Sequence, residues 1–165
     1  MKNAGSCAYL FNRCRELASF NLDGFKMNQV TDARKMFARC EKLTTVDFPA
    51  LEFNNAVHID GMFERCYALD KLDVSSFNTK KVETMNGAFE DCKSLKELNV
   101  SNFDTSNVRD MGNLFAGCNN LTHLAIEKFE TSNVTNMARL FSYCEGLTSI
   151  DVSGFNTSNV TDMSY

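Results

Sequence analysis

Apolar residues recur along this chain in fixed columns, at an interval of 26 residues with no insertion or deletion between copies. Phenylalanine marks the first column, at Phe11, Phe37, Phe63, Phe89, Phe115 and Phe141. Three residues on in every copy stands a cysteine: Cys14, Cys40, Cys66, Cys92, Cys118 and Cys144. A leucine follows six residues after the Phe, at Leu17, Leu43, Leu69, Leu95, Leu121 and Leu147. The positions nine and eleven after it are always apolar, as in Leu72 and Val74 or Leu124 and Ile126. Self-similarity at a fixed period in this range is the mark of a solenoid or related array, in which each unit buries the apolar face of its neighbour.

Two elements per repeat are predicted. The Leu-x-x-Leu-x-Val segment ends in alternation, as in Leu72, Asp73 and Val74, and runs into Ser75 and Ser76, which suits a short half-buried strand. Val108, Met111, Leu114 and Phe115 stand three and four apart, the spacing of one helical face. Asn107 and Asp110 resemble a helix start, and Gly117 stands just past the expected end. The expected fold is an α/β repeat solenoid of leucine-rich-repeat type, with one short parallel strand and one short helix in each 26-residue repeat. Residues 1–165 are expected to form a single solenoid of six full repeats and a partial one. Its sheet should be parallel, curved and roughly 25 to 30 Å long, given ~4.8 Å between strands. Both ends of the sequence fall inside the repeat motif and neither reads as the polar cap that a solenoid core needs. A fragment of a longer array, or end-to-end self-association, is therefore expected.

The cysteine ladder does not read as chemistry. Thiols in register on parallel neighbours are poorly aimed at one another for a bridge, and no Cys-x-x-Cys pair of the kind that holds zinc occurs. The thiols are expected to be free packing residues, with no metal and no cofactor. The two histidines, His58 and His123, fall in unlike columns, and no repeat departs from the pattern to assemble a nucleophile, a base and an orienting group. The chain is expected not to be an enzyme.

Charge narrows the partners. The net charge is −4, and after Leu98 three basic side chains stand against seven acidic ones, so 3 minus 7 accounts for all of it. Nucleic-acid binding calls for a basic stripe, which this balance does not offer. No apolar run approaches the ~20 residues of a membrane helix. Arg13, Arg39 and Arg65 form one charged column, which Glu16, Glu41, Glu64 and Glu90 are placed to compensate.

Val100 to Met111 (Val-Ser-Asn-Phe-Asp-Thr-Ser-Asn-Val-Arg-Asp-Met) and Val152 to Met163 (Val-Ser-Gly-Phe-Asn-Thr-Ser-Asn-Val-Thr-Asp-Met) resemble the 26-residue repeat of bacterial surface lipoproteins grouped with the BspA-like leucine-rich-repeat proteins. The resemblance covers essentially the whole chain and is most specific from Leu69 onward. Further towards the amino terminus Met27, Asn28 and Gln29, then Phe53, Asn54 and Asn55, stand in place of Thr-Ser-Asn, and Pro49 replaces the serine after the strand. The resemblance implies a cell-surface or secreted array, with adhesion or host contact in some members, and names no ligand.

What varies between copies is the outward side of the strand. Thr45, Lys71, Glu97, His123 and Ser149 lie in one column, and Asp47, Asp73, Asn99 and Asp151 in the next. These nine positions are the candidate partner-binding face, because solenoids engage partners through extended sheet surfaces. The expected function is a non-catalytic protein-binding or adhesion module, with a protein or glycan ligand on a host or neighbouring cell. The alternatives are a structural spacer or stalk within a longer surface protein, and an intracellular repeat scaffold or effector.

Overall fold

The structure is a computed structural model that describes residues 5–21, 24–47 and 53–165. Five very short strands recur at the repeat interval: β1 (Ser19–Asn21), β2 (Thr45–Asp47), β3 (Lys71–Leu72), β4 (Glu97–Leu98) and β5 (His123–Leu124). Neighbours pair in parallel with equivalent residues opposite one another, Ser19 with Thr45, Thr45 with Lys71, and Glu97 with His123. The single sheet expected from sequence is divided: β1-β2-β3 form one sheet and β4-β5 another. Among the described residues the copy at Ser149–Asp151 adds no strand. At β3 and β4 a side chain closes the strand end. In the third copy Asp73 Oδ1 accepts the Ser75 N–H at 2.8 Å, and the turn that follows is closed by the Phe77 N–H donating to the Val74 carbonyl.

Opposite this edge a second parallel line of single bridges runs Ser6, Asp32, His58, Thr84, Asp110, Asn136, Asp162. It is followed by the segment expected to be helical. No helix forms there, nor anywhere among the described residues. The chain instead makes consecutive tight turns in which alternate amides have different partners. In the fourth copy the N–H groups of Ala88, Glu90 and Cys92 close turns onto the carbonyls of Met85, Gly87 and Phe89. Those of Met85, Gly87, Phe89 and Asp91 point out of the turn and donate to Asp110, Gly112, Leu114 and Ala116 of the next copy. An α-helix would direct every amide inward to residue i−4 and leave the junction between copies without backbone bonds.

This geometry demands a left-handed backbone twice per copy, two residues before and two residues after each Phe. The first site holds Tyr9, Lys35, Gly61, Gly87, Asn113 and Arg139, and the second Arg13, Arg39, Arg65, Asp91, Gly117 and Tyr143, with φ from 54° to 72°. Gly117, expected to end a helix, fills one of these sites. The apolar spacing of three and four misled the helical reading because the turns bury the same positions: Met111, Leu114, Phe115 and Cys118 are all fully enclosed.

One apolar core runs the length of the described stack, from Cys7 to Leu140. At its centre the Phe column forms a file of nearly parallel rings, with centroids 5.3 to 6.1 Å apart from Phe11 to Phe141 and planes within 17°. That is the separation of offset-stacked rings. The cysteines do more than fill space. Each thiol from Cys40 to Cys144 donates to the backbone carbonyl of the preceding copy's Phe, at 3.1 to 3.3 Å. Valine would fill the volume and leave a buried carbonyl one bond short. The buried threonines stitch the far corner: Thr105 Oγ1 donates to the Glu130 carbonyl at 3.0 Å and accepts the Glu130 N–H at 2.8 Å, and Thr79 and Thr131 repeat the pattern. Asn107, Asn133 and Asn159 add side-chain donors to carbonyls of the copy before.

Two outcomes follow from this packing. All seven cysteines are free, and burial pushes the Cys40 and Cys144 thiols up to about 11 and those of Cys66, Cys92 and Cys118 higher still. A thiol-reactive dye added to the native protein should label the exposed Cys14 at once and the half-exposed Cys144 slowly; the other five should react only on unfolding. Tyr143 holds a left-handed conformation with its side chain 74 % exposed, so Tyr143→Gly relieves backbone strain and removes little packing. It should raise stability by about 1 kcal/mol in a denaturant titration.

Candidate functional site

The strand face places Thr45, Lys71, Glu97, His123 and Ser149 in one exposed column, as their spacing requires. None of the five has a side-chain hydrogen bond or ion pair among the described residues. The second column behaves differently. Asp73, Asn99 and Asp151 are exposed, yet each accepts the N–H of the serine two residues on, at 2.8, 3.1 and 2.9 Å. The serine hydroxyls of Ser75 and Ser153, with those amides, hold the Asp73 and Asp151 carboxyls below the usual carboxylate range. These three residues close the turn that follows and are already engaged. Asp47 pairs through its backbone with Asn21 in β1, and its side chain lies outside the described residues. A sequence signal for the engaged column was present: Asp-x-Ser or Asn-x-Ser recurs at each of these corners and marks a side-chain-closed turn.

Two shallow grooves lie on this face. One of about 500 Å³ is lined by Asp70, Lys71, Leu72, Asp73, Lys96, Glu97 and Asn99. Its neighbour, about 390 Å³, is lined by Glu97, Leu98, Asn99, Thr122, His123 and Ala125. The larger groove sits at the division between β3 and β4. Among the described residues no backbone hydrogen bond joins Asp70–Asp73 to Lys96–Asn99, whereas Asp70 N–H reaches the Thr44 carbonyl and Thr122 N–H reaches that of Lys96.

A second polar arrangement, along the single-bridge line, was missed in the sequence because its members differ in type from copy to copy. The Thr84 hydroxyl donates to Asp60 Oδ2 at 2.7 Å, so His58 Nδ1, 3.0 Å from Thr84 Oγ1, carries the proton that Thr84 accepts. Asp110 accepts from the side-chain amides of Asn86 and Asn136 and from the Gly112 N–H. Gly112 makes that convergence possible, since a Cβ there would come within 2.7 and 2.8 Å of the two amide nitrogens. The row satisfies itself. Among the described residues no three of His, Cys, Asp and Glu converge as metal donors.

The arginine column is compensated by fewer carboxylates than expected. Glu64, almost fully buried, lies 2.9 Å from Lys35 and within 3.9 Å of both Arg39 and Arg65. Arg65 also approaches Asp91, which occupies its own column in the next copy, at 3.5 Å. Glu41 and Glu16 pair elsewhere, with Arg15 and Lys42. Glu90 shares the column of Glu64. Burial, with the charges of Glu64 and Asp91 beside it, pushes its carboxyl up.

Parallel strands at a constant offset, a file of stacked rings and backbone bonds between equivalent residues define a leucine-rich-repeat solenoid. The same fold is found in a leucine-rich repeat protein from Bacteroides ovatus ATCC 8483, similar over 85 % of this chain with a TM-score of 0.51 and 19 % identity. That likeness spans only 38 % of the Bacteroides chain and concerns the fold alone. The chain belongs to the family described as "Mycoplasma protein of unknown function, DUF285", whose model matches residues 5–99 and again residues 85–165. No curated protein sequence matches it. No helix among the described residues is long and apolar enough to cross a membrane.

The raised carboxyl of Glu90 sets a pH dependence. The folded state holds that proton more tightly than the unfolded chain, so stability falls as pH rises above the unfolded value of about 4.3 and through the folded one. Glu90→Gln should therefore raise the melting temperature at pH 7. The gain should shrink to nothing towards pH 4; a gain that is constant across the range would locate the effect in packing rather than charge.

Proposed function

We propose that the chain is a non-catalytic binding module of a bacterial surface protein, and that it binds a protein or glycan through its exposed strand face. One observation carries the proposal. In a molecule whose core columns are nearly invariant, the column Thr45, Lys71, Glu97, His123, Ser149 changes chemistry at each step and is exposed and unengaged. A side chain kept only for packing would follow the repeat, as the Phe and Cys columns do. Surface placement rests on the likeness of the repeat to bacterial surface proteins. The free thiols do not oppose it, because buried thiols already serving as hydrogen-bond donors need no bridge in an oxidising compartment.

A spacer role has one observation in its favour. The backbone bonds between copies recur with little change through the stack, a construction suited to setting a fixed distance. The two readings separate on one experiment. Thr45, Lys71, Glu97 and His123 are replaced together by alanine, leaving the turn-closing Asp73 and Asn99 in place, and both proteins are applied to arrays of host proteins and glycans. The binding reading expects at least tenfold weaker capture of whatever the parent retains, about 1.4 kcal/mol, with an unchanged melting temperature. Equal capture by parent and variant would favour the spacer.

A further inference from the structure

The unengaged column carries opposite charges in neighbouring copies that are not ion-paired, and this deepens the binding proposal on which it rests. Lys71 and Glu97 are exposed, line the same groove and form no ion pair with each other or with any other described residue. Elsewhere on this molecule neighbouring copies do pair their charges, as Lys35 does with Glu64 and Arg15 with Glu41. Glu97 is also shared by the two grooves, so a group held there is flanked on both sides. At this step the backbone bonds of the ladder are interrupted, which leaves main-chain donors and acceptors at the groove floor.

The geometry points to a protein partner that lays an extended segment across the strands, with an acidic side chain against Lys71 and a basic one, two residues away, against Glu97. Adjacent strands are ~4.8 Å apart, and side chains on one face of an extended peptide recur every ~6.7 Å. The long stems of Lys71 and Glu97 span the difference of about 2 Å. A polypeptide fits this face better than a glycan. Sugar rings are held largely by stacking on aromatic side chains, and neither groove has one. Opposite charges at fixed spacing give specificity where each alone gives little affinity.

The test uses three capped heptapeptides that differ only at positions three and five, Glu-Ser-Lys, Glu-Ser-Glu and Lys-Ser-Lys within a serine background. Each is titrated into the 15N-labelled chain, because NMR shifts read binding even in the millimolar range. The parent is expected to bind the mixed peptide at least threefold more tightly than either like-charged one, with shifts centred on residues 70–73 and 96–99. Lys71→Glu should transfer the preference to the Lys-Ser-Lys peptide, and Glu97→Lys to the Glu-Ser-Glu peptide, each with an unchanged melting temperature. Three peptides of equal affinity, or a preference that ignores both substitutions, would overturn the charge assignment. If the array ligand is a glycan lost in the fourfold alanine variant, the face binds and the polypeptide assignment fails. If the arrays and the peptides are both negative, the binding reading fails with it.

Discussion

Every other feature of this molecule follows from how the turn segment divides its backbone amides. Half of them close the local turns and half reach forward to the next copy, so one stretch of chain is at once a compact corner and a rung of a ladder. Buried amides must be paired, and neither a helix nor a strand can serve both purposes within so few residues. The cost is two left-handed residues per copy, most of them not glycine, at about 1 kcal/mol or more each. What offsets it is the neighbouring copy. The Phe file, the thiol bonds to Phe carbonyls and the paired threonine bonds all cross the junction, so a single unit has little to hold it folded.

The sequence made the repeat, its period and the buried columns plain, because burial is a property of side-chain type and position. Phe63, Leu69 and Val82, for instance, are fully enclosed where their columns place them. The conformation of the turn segment was not legible in the same way. Apolar residues three and four apart satisfy a helix and a run of tight turns equally well. The feature that distinguishes them, a left-handed backbone at Arg39, Arg65, Asp91 and Asn113, leaves no residue preference strong enough to read. Interruption of the sheet between β3 and β4 was illegible for a related reason, since hydrogen-bond alignment between equivalent residues is set by small shifts of whole copies.

The strand face divides along chemical lines. Position alone put Asp73 and Lys71 on equal footing as candidates. Their side chains differ in reach: a short carboxylate two residues ahead of a serine closes onto its own backbone, while a lysine stem cannot. The same distinction separates Asn99 from Glu97. Local chemistry, more than exposure, thus decides which outward residues of a repeat protein remain available to a partner. The self-satisfied row around Asp60 and Asp110 makes the same point from the opposite side, being rich in polar atoms and poor in unspent ones.

The forward-reaching bonds of the turn segments lie along the stacking direction, and this gives the solenoid a mechanical character. A pull applied at its two ends loads the junctions in series, so each bears the whole force and the least cross-linked one yields first. Two junctions of this kind stand out, the one between β3 and β4 and the one that follows β5, where the strand-side bonds are missing and only the turn segments, the buried corner and the core hold the copies together. Each copy that unravels releases 26 residues of chain, about 90 Å of slack at full extension. Under tension such a stack would lengthen in steps.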